Sequence, residues 1–263
     1  MNEQGRTWAW SGVDYAAQSG HHRALDDWFL DRLRPARSDT VVDLGCGSGE
    51  FSVRLAEIVS DGRVVGVEPE PSMLEVARRH ARPNLEFVGA RAENVDDAID
   101  HDSADLVVSR AMLHWLPVAA YPQVFAAVKR VLKPGGWFHS ESAGAGNVPN
   151  ILGLLDDLAT RFGVRRPPRF PDAGAVFDLL EHAGYELPND AVRTVAQRRH
   201  FTKAELSGLM RTQATVALTR GTSEDTSRAI VSAADACIDR LRHSDGTYDQ
   251  TFVRLEILVR RPD

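Results

Sequence analysis

The feature that most constrains this chain is a glycine-rich segment after a short apolar run, TVVDLGCGSG over residues 40–49. β-Branched residues favour a strand, and glycines at alternating positions permit a tight turn with an accessible backbone. Residues 50–58 then show the periodicity of an amphipathic helix. The segment therefore predicts a strand, an open turn and a helix start, an arrangement that holds a small polar ligand against backbone N–H groups and the positive helix end.

The glycine spacing narrows the choice of ligand. A dinucleotide fingerprint has the pattern G-x-G-x-x-G, with the third glycine allowing close packing of helix and strand. In this chain Glu50 follows Gly49, so a bulky anion would occupy the place of that third glycine. The loop therefore disfavours a dinucleotide.

Size and composition indicate one sizeable core. The chain has 263 residues, 43% of them apolar, with a net charge of −6. An acidic balance argues against a nucleic-acid partner, since phosphate binding needs a basic face. No apolar run reaches the length of a membrane span, and residues 1–10 lack the pattern of a signal peptide. Cys46 and Cys237 form no disulfide framework or zinc spacing, so we expect a cytoplasmic protein without a membrane partner.

Strand and helix patterns alternate through the first 183 residues. Strands are predicted at 41–44, 64–67, 85–88, 105–109 and 136–140, with a turn at 132–136, and helices at about 50–59, 71–81, 121–131 and 172–183. This alternation is typical of a Rossmann-like, mostly parallel α/β sheet with helices on both faces.

The alternation breaks in the later part of the chain. Two long strands are predicted at 185–200 and 247–261, and helical inserts at about 148–163 and 201–243. Together with a helix predicted within 13–33, the inserts are expected to form a lid over the carboxyl ends of the strands, where ligands bind in open α/β sheets. The alternative is that they pack away from the site.

The order of motifs is more specific than any one of them. VVDLGCGSG, VVGVEPEPSML, FVGARAE, ADLVVSRAMLHWLP and VLKPGGWFHSE follow one another within residues 36–142. This series resembles the class I S-adenosylmethionine (SAM)-dependent methyltransferases of the small-molecule type. WAWSGVDYA and TFVRLEILVRR bear a weaker similarity to the trans-aconitate and malonyl-carrier carboxyl methyltransferase group.

The resemblance implies a domain organisation. It implies a single domain over 1–263 whose seven-stranded sheet ends in an antiparallel strand. Residues 36–142 would bind the cofactor; the lid would comprise 1–35, 146–171 and 201–243, and the closing strands 185–200 and 247–261.

The resemblance also implies SAM as cofactor and a set of residues that hold it. Gly45, Cys46, Gly47 and Gly49 would bring the backbone to the methionine end, with Asp43 on the ammonium. Glu68, at the end of the second strand, would accept hydrogen bonds from the ribose hydroxyls. The remaining expected contacts are Pro69, Met73, Ala92, Glu93 and Ser109, of which Met73, Ala92 and Glu93 would surround the adenine.

Residues near the acceptor are less clearly marked. A sulfonium methyl is already activated, so the protein chiefly aligns a nucleophile and excludes water. His114 is a candidate base, or a histidine that orders its loop. Arg110 is a candidate for binding a substrate anion, or pairs with a local acid. Glu141, Tyr15 and His21 are candidates for the pocket and lid.

The predicted activity is methyl transfer to a small molecule, with O-methylation of a carboxylate or hydroxyl favoured. No metal spacing is present, and the position after the fourth strand lacks the run that grips an exocyclic nitrogen. The alternatives are a SAM-binding regulatory subunit without catalysis and an NAD-dependent oxidoreductase.

Overall fold

Seven strands form one sheet in the computed structural model, which describes residues 26–263. The strands are β1 (Thr40–Leu44), β2 (Arg63–Val67), β3 (Leu85–Val88), β4 (Ala104–Arg110), β5 (Leu132–Ala143), β6 (Val192–Arg199) and β7 (Gln250–Arg260). Their order is β3-β2-β1-β4-β5-β7-β6. The strands from β1 to β5 pair in parallel, whereas β7 runs antiparallel to β5. The Rossmann-like sheet with an antiparallel last strand is confirmed.

Helices follow most of the strands. They are α1 (Asp26–Arg32), α2 (Glu50–Ile58), α3 (Pro71–Arg78), α4 (Tyr121–Val131), α5 (Pro149–Phe162), α6 (Ala173–His182), α7 (Lys203–Leu209), α8 (Val216–Thr219) and α9 (Glu224–Ala236). Short 3-10 helices span Ala92–Asp97, Leu113–Trp115, Val118–Ala120 and Ile238–Leu241, and a π-helical turn spans Met210–Ala214. No helix among residues 26–263 is long and apolar enough to cross a membrane.

The described residues divide into two compact units. The sheet unit comprises 26–144, 171–195 and 254–263, and the helical unit comprises 145–170 and 196–253. In the sheet unit, one apolar cluster joins β4 and β5 to α4 and α6, and a second joins β1 and β2 to α1 and α2. In the helical unit, α5, α7 and α9 share a separate core. The two clusters of the sheet unit cover its two faces, as a parallel sheet requires.

The structure corrects two sequence predictions. The turn predicted at 132–136 lies inside β5, where Gly135 adopts φ of 75° and the pairing with β4 shifts register. The strand predicted over 185–200 begins only at Val192, because a turn interrupts the extended chain before it. In that turn the Ala191 N–H donates to the Pro188 carbonyl at 3.0 Å, and Asp190 has φ of 58°.

Candidate active site

The glycine loop is fastened to the end of β2. The N–H groups of Gly45 and Cys46 both donate to the Val67 carbonyl oxygen, at 2.8 and 3.0 Å. Gly49 precedes α2 as its N-cap with φ of 92°, a conformation that side chains other than glycine rarely adopt. The loop therefore presents its remaining backbone and the start of α2 at the carboxyl edge of the sheet.

Gly45 leaves no room for a side chain. It has φ of 77°, and a Cβ atom built on it would lie 2.3 Å from Cγ of Met112. Met112 follows β4, so the loop after β1 and the segment after β4 are in close contact. Glycine is therefore required here for both conformation and space.

Glu68 links the glycine loop to the end of β2. Its Oε2 accepts the Gly47 N–H at 3.1 Å, and its Oε1 accepts the Glu70 N–H at 2.9 Å. Burial raises the pKa of Glu68, while the two backbone hydrogen bonds act in the opposite direction. The carboxylate predicted to bind ribose is thus held against the loop by backbone donors.

Asp43 is an acid buried at the end of β1. It is 2% exposed, and its Oδ2 accepts the Ser52 hydroxyl at 2.6 Å. Burial raises the pKa of Asp43 to about 6, opposed by the Ser52 hydrogen bond and by the charge of Arg110. A buried carboxyl group with a raised pKa favours a cationic partner, because a nearby positive charge offsets the energetic cost of ionising the group.

Asp43→Asn is expected to stabilise the ligand-free protein above pH 6. The pKa is raised from 3.8 to about 6, so folding opposes ionisation, and the resulting destabilisation is absent below pH 3.8 and complete above pH 6. The gain at pH 8 should be on the order of 2–3 kcal/mol, and it should disappear near pH 4. Denaturant unfolding of both proteins at the two pH values measures it. A pH-independent gain would contradict the assignment to Asp43 ionisation.

The segments predicted to surround adenine form a second cavity. Pro69 lines this cavity of about 410 Å³ together with Gly89, Ala90 and Arg91. Ala92 begins the next 3-10 helix and is buried, whereas the Glu93 carboxylate pairs with Arg91 at 2.7 Å. Met73 is buried, and its Cε lies 4.0 Å from a Cβ built on Gly47. The ends of β2 and β3 therefore meet, with Met73 beside the glycine loop.

A cavity of about 500 Å³ opens beside the glycine loop. Asp43, residues 45–48, Arg110 and Ala111 line it, together with Asp26 and Arg54. The guanidinium of Arg110 forms an ion pair with Asp26 and lies 4.8 Å from the ring centroid of Phe51. Of the two roles predicted for Arg110, the structure shows pairing with a local acid, Asp26. The pair lies at the wall of this cavity.

His114 orders the backbone at the end of β5. Its Nδ1 accepts the Ala143 N–H at 3.3 Å. Burial, and then the charge of Arg254, lowers the pKa of His114 to about 3. The neutral ring therefore carries its hydrogen on Nε2, and this geometry favours the loop-ordering interpretation over a general base.

The other two predicted residues of these strands are fully buried. The Ser109 hydroxyl donates to the Leu44 carbonyl at 2.9 Å, which ties β4 to β1 and uses the hydroxyl hydrogen. Glu141 is 1% exposed and pairs with Arg254, its Oε1 lying 3.2 Å from Nη1. Tyr15 and His21 lie outside the described residues. Across residues 26–263 no cluster of three potential metal ligands occurs.

Sequence reasoning missed several residues of this region. Asp26 bridges Arg110 and Arg54, with the second contact at 3.2 Å. Ser52 and Arg254 give Asp43 and Glu141 their partners. Ser52 stands one turn into the helix after the loop, a local signal that was available. Asp26 and Arg254 carry no motif, so only the fold reveals them.

The fold and this edge define a Rossmann-like protein that binds a nucleotide-type cofactor at the carboxyl ends of its strands. A methyltransferase domain family matches residues 41–136. An uncharacterized methyltransferase of Schizosaccharomyces pombe is 30% identical over 188 residues, covering 68% of this chain and 71% of that protein. The chain therefore belongs to the class I SAM-dependent methyltransferases. This membership supports a methyltransferase enzyme and decides against the oxidoreductase alternative.

Two further proteins are informative. A trans-aconitate 2-methyltransferase of Streptomyces coelicolor is 31% identical over 157 residues, which cover 57% of this chain and half (50%) of that protein. The structure of a phosphoethanolamine N-methyltransferase of Haemonchus contortus in complex with SAM aligns with a TM-score of 0.61 at 16% identity. That alignment covers 96% of this chain and 57% of the other, and it concerns the fold alone.

Proposed function

We propose that this methyltransferase transfers the methyl group of SAM to an oxygen atom of a small molecule, either a carboxylate or a hydroxyl. The observation that carries the proposal is the cavity of about 500 Å³, because its wall includes both the glycine loop and the end of β4. A cavity of this volume suits small ligands. Trans-aconitate, the substrate in the name of one relative, is a tricarboxylate whose nucleophilic atoms are oxygens, so this similarity favours oxygen as the methylated atom.

The residues present fit the cofactor. Gly45, Cys46 and Gly47 form a backbone cradle at the wall of the cavity, and a side chain at Gly45 would collide with Met112. The buried Asp43 suits the ammonium of the methionine end, since its raised pKa favours a cationic partner. Glu68 would accept the ribose hydroxyls on the lone pairs that its two backbone donors leave free.

The adenine end is assigned to the second cavity. Pro69 and the turn 89–91 form its walls. Met73, Ala92 and Glu93 flank that region. Burial acts to raise the pKa of Glu93, but the hydrogen bond from Arg91 and a backbone hydrogen bond outweigh it and lower the pKa, so Glu93 stays ionised. An ionised carboxylate there would accept hydrogen bonds from an exocyclic amine.

The bound cofactor supplies an activated methyl group. The protein supplies alignment, because holding the acceptor in line with the methyl carbon removes much of the entropic barrier. The cavity wall at Arg110 and Ala111 lies beside Gly45 and is the surface we assign to positioning the acceptor. Arg110 and Asp26 form an ion pair, so together they make this wall polar but add no net charge to it.

Two measurements test the proposal. Titration calorimetry should show binding of SAM and none of NAD, and binding of NAD in preference to SAM would contradict the cofactor assignment. Incubation with methyl-labelled SAM and a small-molecule metabolite extract should yield a labelled product of low molecular mass. Label transferred only to protein or nucleic acid would overturn the small-molecule assignment.

A further inference from the structure

Glu141 is a buried acid whose carboxylate oxygens the described residues leave without hydrogen bonds. It lies near the carboxyl end of β5 and is 1% exposed. Arg254 provides a countercharge, but within residues 26–263 neither Oε1 nor Oε2 accepts a hydrogen bond of good geometry. Buried ionised groups normally have both a countercharge and hydrogen bonds. Glu141 therefore has acceptor capacity for a donor that residues 26–263 do not supply.

The acid directly opposite shows the difference. Glu256 on β7 pairs in register with Glu141 and is also fully buried. Its Oε1 lies 3.1 Å from Nε2 of His139, and its Oε2 accepts the Nε–H of Arg193. Burial in this layer is thus compatible with complete hydrogen bonding. Of these two facing acids, only Glu141 has carboxylate oxygens that residues 26–263 leave without hydrogen bonds.

That position adjoins the cavity beside the glycine loop. Glu141 pairs in register with Arg110, so the two side chains lie on the same face of the sheet, and Arg110 lines the cavity. The Glu141 carbonyl accepts the Ala111 N–H at 2.8 Å, and Ala111 lines the cavity with φ of 52°. A non-glycine residue in this strained conformation is characteristic of functional sites.

The charges of this face favour a neutral donor over an anion. Arg110 and Arg254 already pair with Asp26 and Glu141, so an acceptor carboxylate beside Glu141 would meet a like charge. A hydroxyl would instead donate to the unsatisfied carboxylate oxygens. Between the two oxygen nucleophiles of the proposed function, the structure therefore favours the hydroxyl.

We propose that Glu141 is a catalytic base that binds an acidic hydroxyl of the acceptor, a phenol or enol, and that Arg254 is a positioning residue that holds it. This proposal rests on the proposed function. As the acceptor oxygen bonds to the methyl carbon, the carbon–sulfur bonding pair remains on sulfur and the hydroxyl proton passes to Glu141. The products are a methyl ether and S-adenosylhomocysteine, and protonated Glu141 returns its proton to water.

The first test identifies the bond formed. The enzyme is incubated with ¹³C-methyl SAM and the small-molecule extract, and the product is examined by NMR and by mild alkaline hydrolysis. A methyl ether, stable to base, is the expected product. A base-labile methyl ester, or methylation on nitrogen or carbon, would overturn the role of Glu141. Binding of SAM without any labelled product would instead overturn the proposed function.

The second test separates catalysis from folding. Glu141→Gln should lower the rate of ether formation about 100-fold or more, the usual contribution of a general base, while the Kd for SAM changes less than about twofold. The double variant Glu141→Gln/Arg254→Met removes both charges together, so it should unfold near the wild-type temperature and remain inactive. Recovery of activity in the double variant would show that Glu141 has only a structural role.

The positioning role of Arg254 is tested by two substitutions at that residue. Arg254→Lys keeps a cation and should retain kcat within about tenfold, whereas Arg254→Met should lose kcat with little change in the Kd for SAM. Glu86→Gln, at an exposed acid of β3, is the matched control and should be neutral. Equal loss of activity in the lysine and methionine variants would contradict the positioning role.

Discussion

Glu68→Ala should weaken SAM binding by at least about 100-fold, as measured by titration calorimetry. A carboxylate that accepts two ribose hydroxyls contributes about 1.5–3 kcal/mol per hydrogen bond, and each 1.4 kcal/mol changes Kd tenfold. The same substitution removes the acceptor of the Gly47 N–H, which holds the loop to the end of β2. Ligand contact and loop order are therefore lost together.

Two controls separate these contributions. Glu68→Gln retains an oxygen that can accept the Gly47 N–H but loses the charge, so it should weaken binding less than alanine does. Glu86→Ala removes an exposed acid of β3 that pairs with Arg63, and it should leave the Kd unchanged. An unaltered Kd in Glu68→Ala would refute the ribose assignment.

Gly45→Ala should abolish measurable SAM binding and destabilise the protein by about 2–3 kcal/mol. The new Cβ would lie 2.3 Å from Cγ of Met112, and alanine would have to adopt φ of 77°. Either the loop or the segment after β4 must move, and both line the cavity beside the loop. Denaturant unfolding measures the stability, and calorimetry measures the binding.

A second variant separates the two causes of the lost stability and binding, which are the steric contact with Met112 and the strained φ. Gly45→Ala/Met112→Ala removes the steric contact but keeps the strained φ, so it should recover part of the stability and little of the binding. Gly153→Ala is the matched control, because it lies on the exposed side of α5 with no atom within 4 Å of an added Cβ. Alanine there should stabilise the helix by about 1 kcal/mol. Wild-type SAM affinity in Gly45→Ala would contradict the cradle.

The fold was predictable where local patterns decide it. The predicted strands at 41–44, 64–67 and 85–88 match β1 to β3 within one residue at each end. Short β-branched runs followed by amphipathic segments leave few alternatives. The errors occur at 132–136, where the segment is paired as part of β5, and at 185–191, where a local turn precedes β6; Gly135 and Asp190 adopt positive φ at these two places.

Some features of the site were likewise predictable from the sequence, and others were not. The placement of Glu68 beside Gly47 followed from two motifs whose strands are neighbours in the sheet. The environment of Arg110 did not, because its partner Asp26 lies 84 residues away in a segment without a motif. For His114 the sequence left two interpretations open, and the Ala143 hydrogen bond favours one of them.

The sequence by itself determined the class of protein and the cofactor loop, because a strand, a glycine turn and a helix start are encoded by consecutive residues. Only the tertiary structure decided which buried charges meet. Parallel register aligns Glu141 with Arg110, and antiparallel pairing brings β7 with Arg254 alongside β5. The physical reason is that burial makes each ion depend on its neighbours for compensation, and those neighbours come from distant parts of the chain.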